Sequence, residues 1–205
     1  MTDIHASGPA LEWTERRAGE FNAIIVGGDL AGGGKQEFIG EYLRATLSAN
    51  KNVFYVQGNA DSPNTPVPDG IVRLHGSRSR IGDYSIGGLG GSNPTPFGTP
   101  FELDDGGAAS VLTRLGRVDI LVSHCPPLNS RCDRAGTSHI GSKPVREYVL
   151  REKPLLVLSG HAHDSRAIDK IADSTIVNAG PLMKGNYVQI GLDRPISVEL
   201  KNEKI

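Results

Sequence analysis

Apolar side chains in this chain gather into short unbroken runs. The runs are Ala23–Val26 (AIIV), Asn52–Val56 (NVFYV), Ile71–Leu74, Val118–Val122 (VDILV) and Leu155–Leu158 (LLVL), then Thr175–Val177, Tyr187–Leu192 and Ile196–Leu200. Runs of this length, rich in valine, isoleucine and leucine, predict strands buried on both faces. Helices are expected between them, at about Glu37–Ser48, Asp105–Leu115 and Ser142–Arg151. The first two thirds therefore read β-α-β, with right-handed crossovers. The last thirty residues run strand after strand and predict a second, more antiparallel sheet. The expected architecture is α/β, two packed sheets with helices outside, in a single domain over residues 1–205.

Two segments break the pattern. Pro63–Asp69 (PNTPVPD) holds three prolines, and Gly87–Pro100 (GGLGGSNPTPFGTP) is denser still in glycine and proline. The strands on either side are too close for a domain boundary, so both are expected to be surface loops over a cleft. The whole chain carries 26 glycines and 13 prolines. That excess of turn formers argues against a helical bundle.

The polar residues that follow the runs carry the chemistry. AIIV leads into Gly27-Gly28-Asp29, NVFYV into Gln57-Gly58-Asn59-Ala60-Asp61, DILV into Ser123-His124-Cys125, and LLVL into Ser159-Gly160-His161-Ala162-His163. In an open α/β sheet the carboxyl ends of the strands share one edge, and ligands bind there. Asp29, Asn59, His124, His161 and His163 are thus expected to converge, joined by Asp3 and His5 from the N-terminus. Asp3/His5 and His161/His163 are i, i+2 pairs, which face one way in an extended segment. Two carboxylates, an amide oxygen and four imidazoles exceed the needs of one tetrahedral ion. They match two borderline divalent ions about 3.5–4 Å apart that share a carboxylate. Four of the six histidines lie in this set; His75 and His139 lack the strand context.

Charge and composition narrow the function further. Twenty-two basic residues against 23 acidic ones leave a net charge of −1, and aromatics are 5%. No strong field or stacking platform is present to hold nucleic acid, and none to hold an anionic membrane. No apolar run approaches the roughly 20 residues of a membrane span. The opening residues Met1–His5 lack the basic and apolar regions of a signal peptide. Cys125 and Cys132 are too few for a disulfide framework. They read as reduced thiols of a cytoplasmic protein.

Asp3-Ile-His5, Gly28-Asp29, Gly58-Asn59-Ala60-Asp61, His124, Gly160-His161-Ala162-His163 and Val177-Asn178-Ala179-Gly180 stand in this order along the chain. In that order they resemble the calcineurin-like metallophosphoesterases. The resemblance spans residues 3 to 181 and implies a four-layer α-β-β-α sandwich of two mixed sheets flanked by helices. It also implies roles: Asp3, His5 and His163 on a first metal, Asn59, His124 and His161 on a second, and Asp29 bridging both. A hydroxide between the ions would attack phosphorus, with manganese first among the candidate metals and iron, zinc or nickel open. The implied substrate is a small phosphate ester such as a nucleotide. Family members are often dimers, so a homodimer is one assembly open to this chain.

Three departures qualify the resemblance. The family often has histidine where this chain has Ala60, and that histidine is thought to assist the leaving group. Alanine cannot, so a phosphodiester is expected, with His139 as the substitute if its loop folds over the site and Asp61 as a further catalytic candidate. Gly32 replaces an aspartate often found three residues after the bridging one. Only Met1 and Thr2 precede Asp3, so the family's first strand is expected to be missing or a stub, unless the true start lies upstream. For substrate contacts, Asn59 itself, Arg131 beside Arg134, and Asn93 in the Gly/Pro-rich loop are the candidates. The rival from another class is a catalytically weak protein of this fold serving as a binding module. A nuclease is disfavoured by charge, and a metallo-β-lactamase-type site by Arg166, which stands where its H-x-H-x-D-H run requires histidine.

Overall fold

The computed structural model describes all 205 residues. In chain order the elements are α1 (Gly8–Arg17), β1 (Ile24–Val26), α2 (Glu37–Ala49), β2 (Val53–Tyr55), β3 (Ile71–Arg73), β4 (Arg78–Ile81), β5 (Tyr84–Leu89) and α3 (Asp105–Leu115). They continue with β6 (Ile120–Ser123), β7 (Arg134–Ala135), β8 (Ser138–His139), α4 (Lys143–Glu152), β9 (Leu156–Ser159), β10 (Ala167–Ile171), β11 (Ser174–Asn178), β12 (Asn186–Gly191) and β13 (Ser197–Asn202). Short 3₁₀ turns cover Ala18–Glu20 and Leu182–Lys184.

The layers follow from the period-2 alternation of strand side chains. Val26, Val53 and Tyr55 face α1 and α2, packing with Trp13, Ile39, Tyr42 and Leu43. Phe54 and Val56 point the other way and meet Ile120, Val122, Leu156, Leu158 and Val177 between the sheets. Leu121, Val157 and Ile176 point outward to Leu112, Leu115, Tyr148 and Val149 on α3 and α4. This is the expected α-β-β-α sandwich.

Its sheets are assembled differently from the expectation. The first is three-stranded, in the order β1-β2-β3, and wholly parallel rather than mixed. The second has six strands in the order β10-β11-β9-β6-β5-β4, parallel in its middle and antiparallel at both edges. It comes from the middle of the chain. The final residues form instead a separate antiparallel ribbon, β12-β13. The ribbon packs Val188, Ile190, Val198 and Leu200 against the core between the sheets. The edge strands β4 and β10 bury only part of their side chains, which is why no apolar run announced them. The helix α1 buries only Ala10, Trp13 and Thr14, and starts at Ser7, whose hydroxyl accepts from the Ala10 N–H, with proline in its first turn. Those are N-cap signals, but its apolar stripe is too narrow to stand out.

Met1–Asp3 forms a stub beside β1. The Met1 ammonium donates to Ile25 O at 3.0 Å, Gly27 N–H donates to Met1 O at 2.8 Å, and Asp3 N–H donates to Gly28 O at 2.9 Å. This is one step of a parallel ladder. Burial pushes the Met1 amine down to about 6. Between β1 and β12, which share no hydrogen bonds, lies a cavity of about 710 Å³ lined by Met1, Ile25, Phe54, Leu158, Val188 and Ile190 among others.

Candidate metal centre

The carboxyl ends of β1, β2, β6 and β9 open on one side of the sandwich, and each delivers a polar side chain there. The turns that deliver them are tight. Asp3, His5, Asp29 and His161 all adopt left-handed backbone, with φ of 54°, 48°, 53° and 64°. Non-glycine residues in that region cost of order 1–3 kcal/mol each and concentrate at functional sites. The glycines beside them have no space for a side chain. A Cβ on Gly58 would overlap Asp29, and one on Gly160 would overlap Thr2 Oγ1 and Asp3 Oδ2. Overpacking of this kind typically costs about 1–3 kcal/mol. Gly160→Ala is therefore expected to lower thermal stability by that amount and to weaken metal uptake, both measurable by melting with and without Mn²⁺.

The seven expected ligands form two clusters. In the first, His5 Nε2 lies 3.1 Å from His163 Nε2, His163 Nε2 lies 3.4 Å from Asp3 Oδ1, and His5 Nε2 lies 3.6 Å from Asp29 Oδ2. One ligand atom from each of these four residues falls within 4.8 Å of all the others. In the second, His124 Nε2 lies 3.4 Å from Asp29 Oδ1 and 3.1 Å from Asn59 Oδ1, and His161 Nδ1 lies 2.8 Å from Asn59 Oδ1. Asp29 belongs to both, offering Oδ2 to one cluster and Oδ1 to the other.

The donor chemistry fits divalent ions. Carboxylate, amide and imidazole lone pairs converge, and convergent lone pairs repel unless cations or protons lie among them. The His124 Nδ1–H donates to Gly27 O at 2.8 Å, which turns Nε2 inward. That is the usual outer-shell arrangement of a metal-bound histidine. Burial alone would lower the His124 imidazole, but the Asp29 carboxylate beside it raises it to about 9. Burial pushes His161 down to about 4, the neutral form a ligand needs. Burial opposes charge on Asp3 and Asp29, but the facing imidazoles win and both carboxyls fall below their ordinary value. His163 is raised by its hydrogen bond with Asp3.

The other expected site residues sit elsewhere. Asp61 is fully buried and accepts from Ala31 N–H at 2.8 Å, Gly58 N–H at 2.9 Å and Tyr55 OH at 3.0 Å. These contacts make Asp61, the catalytic candidate, a brace between the turns after β1 and β2. Burial, then the Asp29 charge, raises its carboxyl. His139 stands on the small β7-β8 hairpin with Nδ1 2.6 Å from Asp133 Oδ1. Its ring is held by that buried aspartate and by no ligand residue. Arg131 is exposed and donates its N–H to Asp169 on β10, at the sheet edge. Asn93 Oδ1 accepts from the Cys125 thiol at 3.1 Å, next to His124. Asn59, expected to serve both metal and substrate, turns Oδ1 to the histidines and donates from Nδ2 to Thr99 Oγ1 at 3.2 Å.

Thr99 went unnoticed in the sequence, along with Gln36. Gln36 donates to Ala60 O at 2.8 Å and accepts from Ser62 N–H at 2.7 Å, pinning the turn after Asn59. Neither belongs to a motif; each is found only by contact. The glycine/proline-rich segment is also shorter than expected, because Gly87–Leu89 ends β5. The Pro63–Asp69 segment links β2 to β3, and its Val67 packs against the core under α1 and α2.

The model of the calcineurin-like phosphoesterase family matches residues 1–165. The uncharacterized protein MJ1162 of Methanocaldococcus jannaschii is 33% identical over 193 residues, covering 88% of this chain and 86% of that protein. Among solved structures, TT1561 of Thermus thermophilus superposes with a TM-score of 0.74 at 20% identity, covering 98% of this chain and 96% of that one. A 5′-nucleotidase precursor from the same organism gives a TM-score of 0.51 at 13% identity, with 98% of this chain and 53% of that one covered. No helix is long and apolar enough to cross a membrane.

Proposed function

Since the chain belongs to the calcineurin-like phosphoesterase family, we propose that it is a metal-dependent phosphodiesterase acting on small phosphate esters, nucleotides among them. The observation that carries this reading is Asp29, whose two oxygens face two separate ligand clusters. When bound, a pair of divalent ions supplies Lewis acidity and an activated water nucleophile. Asp3, His5, His163 and Asp29 would hold one ion, and Asp29, Asn59, His124 and His161 the other. Manganese is proposed first; mixed imidazole and carboxylate ligands accept Fe, Zn and Ni as well.

The protein's own part is positioning. Ala60 sits beside the bridging carboxylate, its N–H donating to Asp29 Oδ1 at 2.8 Å. Its methyl group offers no proton to a departing alkoxide. A diester, or an ester with a good leaving group, loses least from that absence. Cys125 and Cys132 are buried, unpaired and pushed up to about 12 by burial. Inert thiols of this kind suit a cytoplasmic setting.

The test is hydrolysis of bis-p-nitrophenyl phosphate and p-nitrophenyl phosphate with Mn²⁺ or with chelator, on wild type and His161→Ala. Diester turnover that needs Mn²⁺ and is lost in the variant is expected. Preference for the monoester would sink the diesterase assignment. No turnover of either would favour the binding-module reading, against which stands the convergence of all seven ligand positions.

A further inference from the structure

The segment between β5 and α3 reaches the metal centre through one side chain, and that contact has a defined polarity. Its ends are zipped: Ser92 N–H donates to Phe101 O at 3.2 Å, and Leu103 N–H donates to Ser92 O at 2.8 Å. Phe101 N–H donates to Asn59 O at 3.0 Å, which fastens the loop to the backbone of a candidate ligand. Within the loop, Glu102 Oε1 accepts from Thr95 Oγ1 at 2.6 Å, from Thr99 N–H at 2.8 Å and from Thr99 Oγ1 at 2.6 Å.

A carboxylate only accepts, so the Thr99 hydroxyl spends its single proton on Glu102. Its lone pairs are then all it can offer Asn59, 3.2 Å away. Only the amide nitrogen can donate to them. The Asn59 side chain is therefore locked with Nδ2 outward and Oδ1 toward His124 and His161. A flipped amide would fail at both ends: its oxygen would meet the Thr99 lone pairs, and its N–H₂ would point into the ligand cluster. The chain from Glu102 through Thr99 to Asn59 also draws electron density toward Oδ1, as successive hydrogen bonds polarise one another.

We propose that Thr99, backed by Glu102, is a positioning residue that orients Asn59 as a ligand of the second metal. The inference rests on the di-metal reading above. Outer-shell partners of metal ligands are typically worth about 10–100-fold in metal affinity. Thr99→Val keeps the shape, removes the acceptor and leaves Glu102 without one donor. Thr99→Ser keeps both hydrogen bonds.

Each protein is stripped with chelator and titrated with MnCl₂ by calorimetry, with thermal melting as a check on folding. Wild type is expected to take up two ions. Thr99→Val is expected to lose roughly 10–100-fold in affinity at one site and to keep the other. Thr99→Ser is expected to return to within about threefold of wild type. A general loosening of the fold would weaken both sites and would overturn the proposal. So would unchanged affinity at both sites in Thr99→Val when wild type binds two ions; that result leaves the di-metal reading standing. Fewer than two ions on wild type would overturn the di-metal reading and this inference with it.

Discussion

Asp29→Asn is expected to strip both metals at once and to lower diester turnover by at least about 10²–10³-fold. The two oxygens of Asp29 face different clusters, 3.6 Å from His5 Nε2 and 3.4 Å from His124 Nε2. An amide keeps the volume and tolerates the left-handed backbone at φ 53°. It presents one oxygen and one N–H₂, so one cluster gains a donor where it needs a ligand. It also removes the negative charge that separates two dications. Losing a single donor to a developing oxyanion already costs about 10²–10³ in rate, and here the source of that stabilisation goes altogether. Elemental analysis checks the claim together with turnover. His5→Ala and His124→Ala should each cost mainly one ion, whereas Asp29→Asn should cost both. Retention of two ions by Asp29→Asn would mean that the clusters do not share this carboxylate.

Ala60→His is expected to shift the substrate range. The residue lies between Asn59 and the buried brace Asp61, with its N–H on Asp29 and its carbonyl held by Gln36, so the turn that would aim a new imidazole is already fixed. General acid help contributes typically about 10²–10⁴-fold, and most where the leaving group is poor. Alkyl phosphomonoesters should therefore gain at least about tenfold in kcat/KM, while p-nitrophenyl esters, which need no protonation, should change little. The comparison is internal to one variant, so a general loss of fold or metal would lower both substrates together. Equal gains, or none on the alkyl ester, would remove Ala60 as the reason for expecting a diesterase.

The layers of the sandwich were legible because burial on both faces leaves an unambiguous mark. The buried stretches at Ile120–Ser123 and Leu156–Ser159 each open with three apolar residues in a row, a pattern with few other uses, and both lie within a residue or two of the runs that announced them. The helices that link those runs were legible too, α2 without any side-chain cap, whereas the well-capped α1 was not. Ser142 accepts from Val145 N–H and Asp104 accepts from Gly107 N–H, each at the start of an expected helix. Where charged residues or glycines interrupt the apolar run the signal fails. The edge strands β4 and β10 mix arginine, lysine and aspartate with their apolar residues, and β5 carries two glycines. Sheet order was out of reach for a different reason. The final ribbon reads as strand from its sequence, but whether it joins a sheet depends on which edges are free.

The chain by itself determined which polar side chains gather at one edge. A strand's carboxyl end must open on the binding edge of a parallel sheet, so an aspartate, an asparagine and histidines placed just after four apolar runs had one place to meet. The tertiary structure alone decided how these groups are oriented and what their neighbours are bonded to. Ala31, Gly58 and Tyr55 occupy the oxygens of Asp61, and Asp133 holds one ring nitrogen of His139 on the small β7-β8 hairpin. Thr99 lies forty residues from Asn59 in sequence and touches it only because the loop closes on itself through Ser92, Phe101 and Leu103. Backbone geometry propagates locally and can be read along a sequence. The direction of a hydrogen bond between distant side chains depends on what else competes for each donor and acceptor, and only the folded chain brings those competitors together.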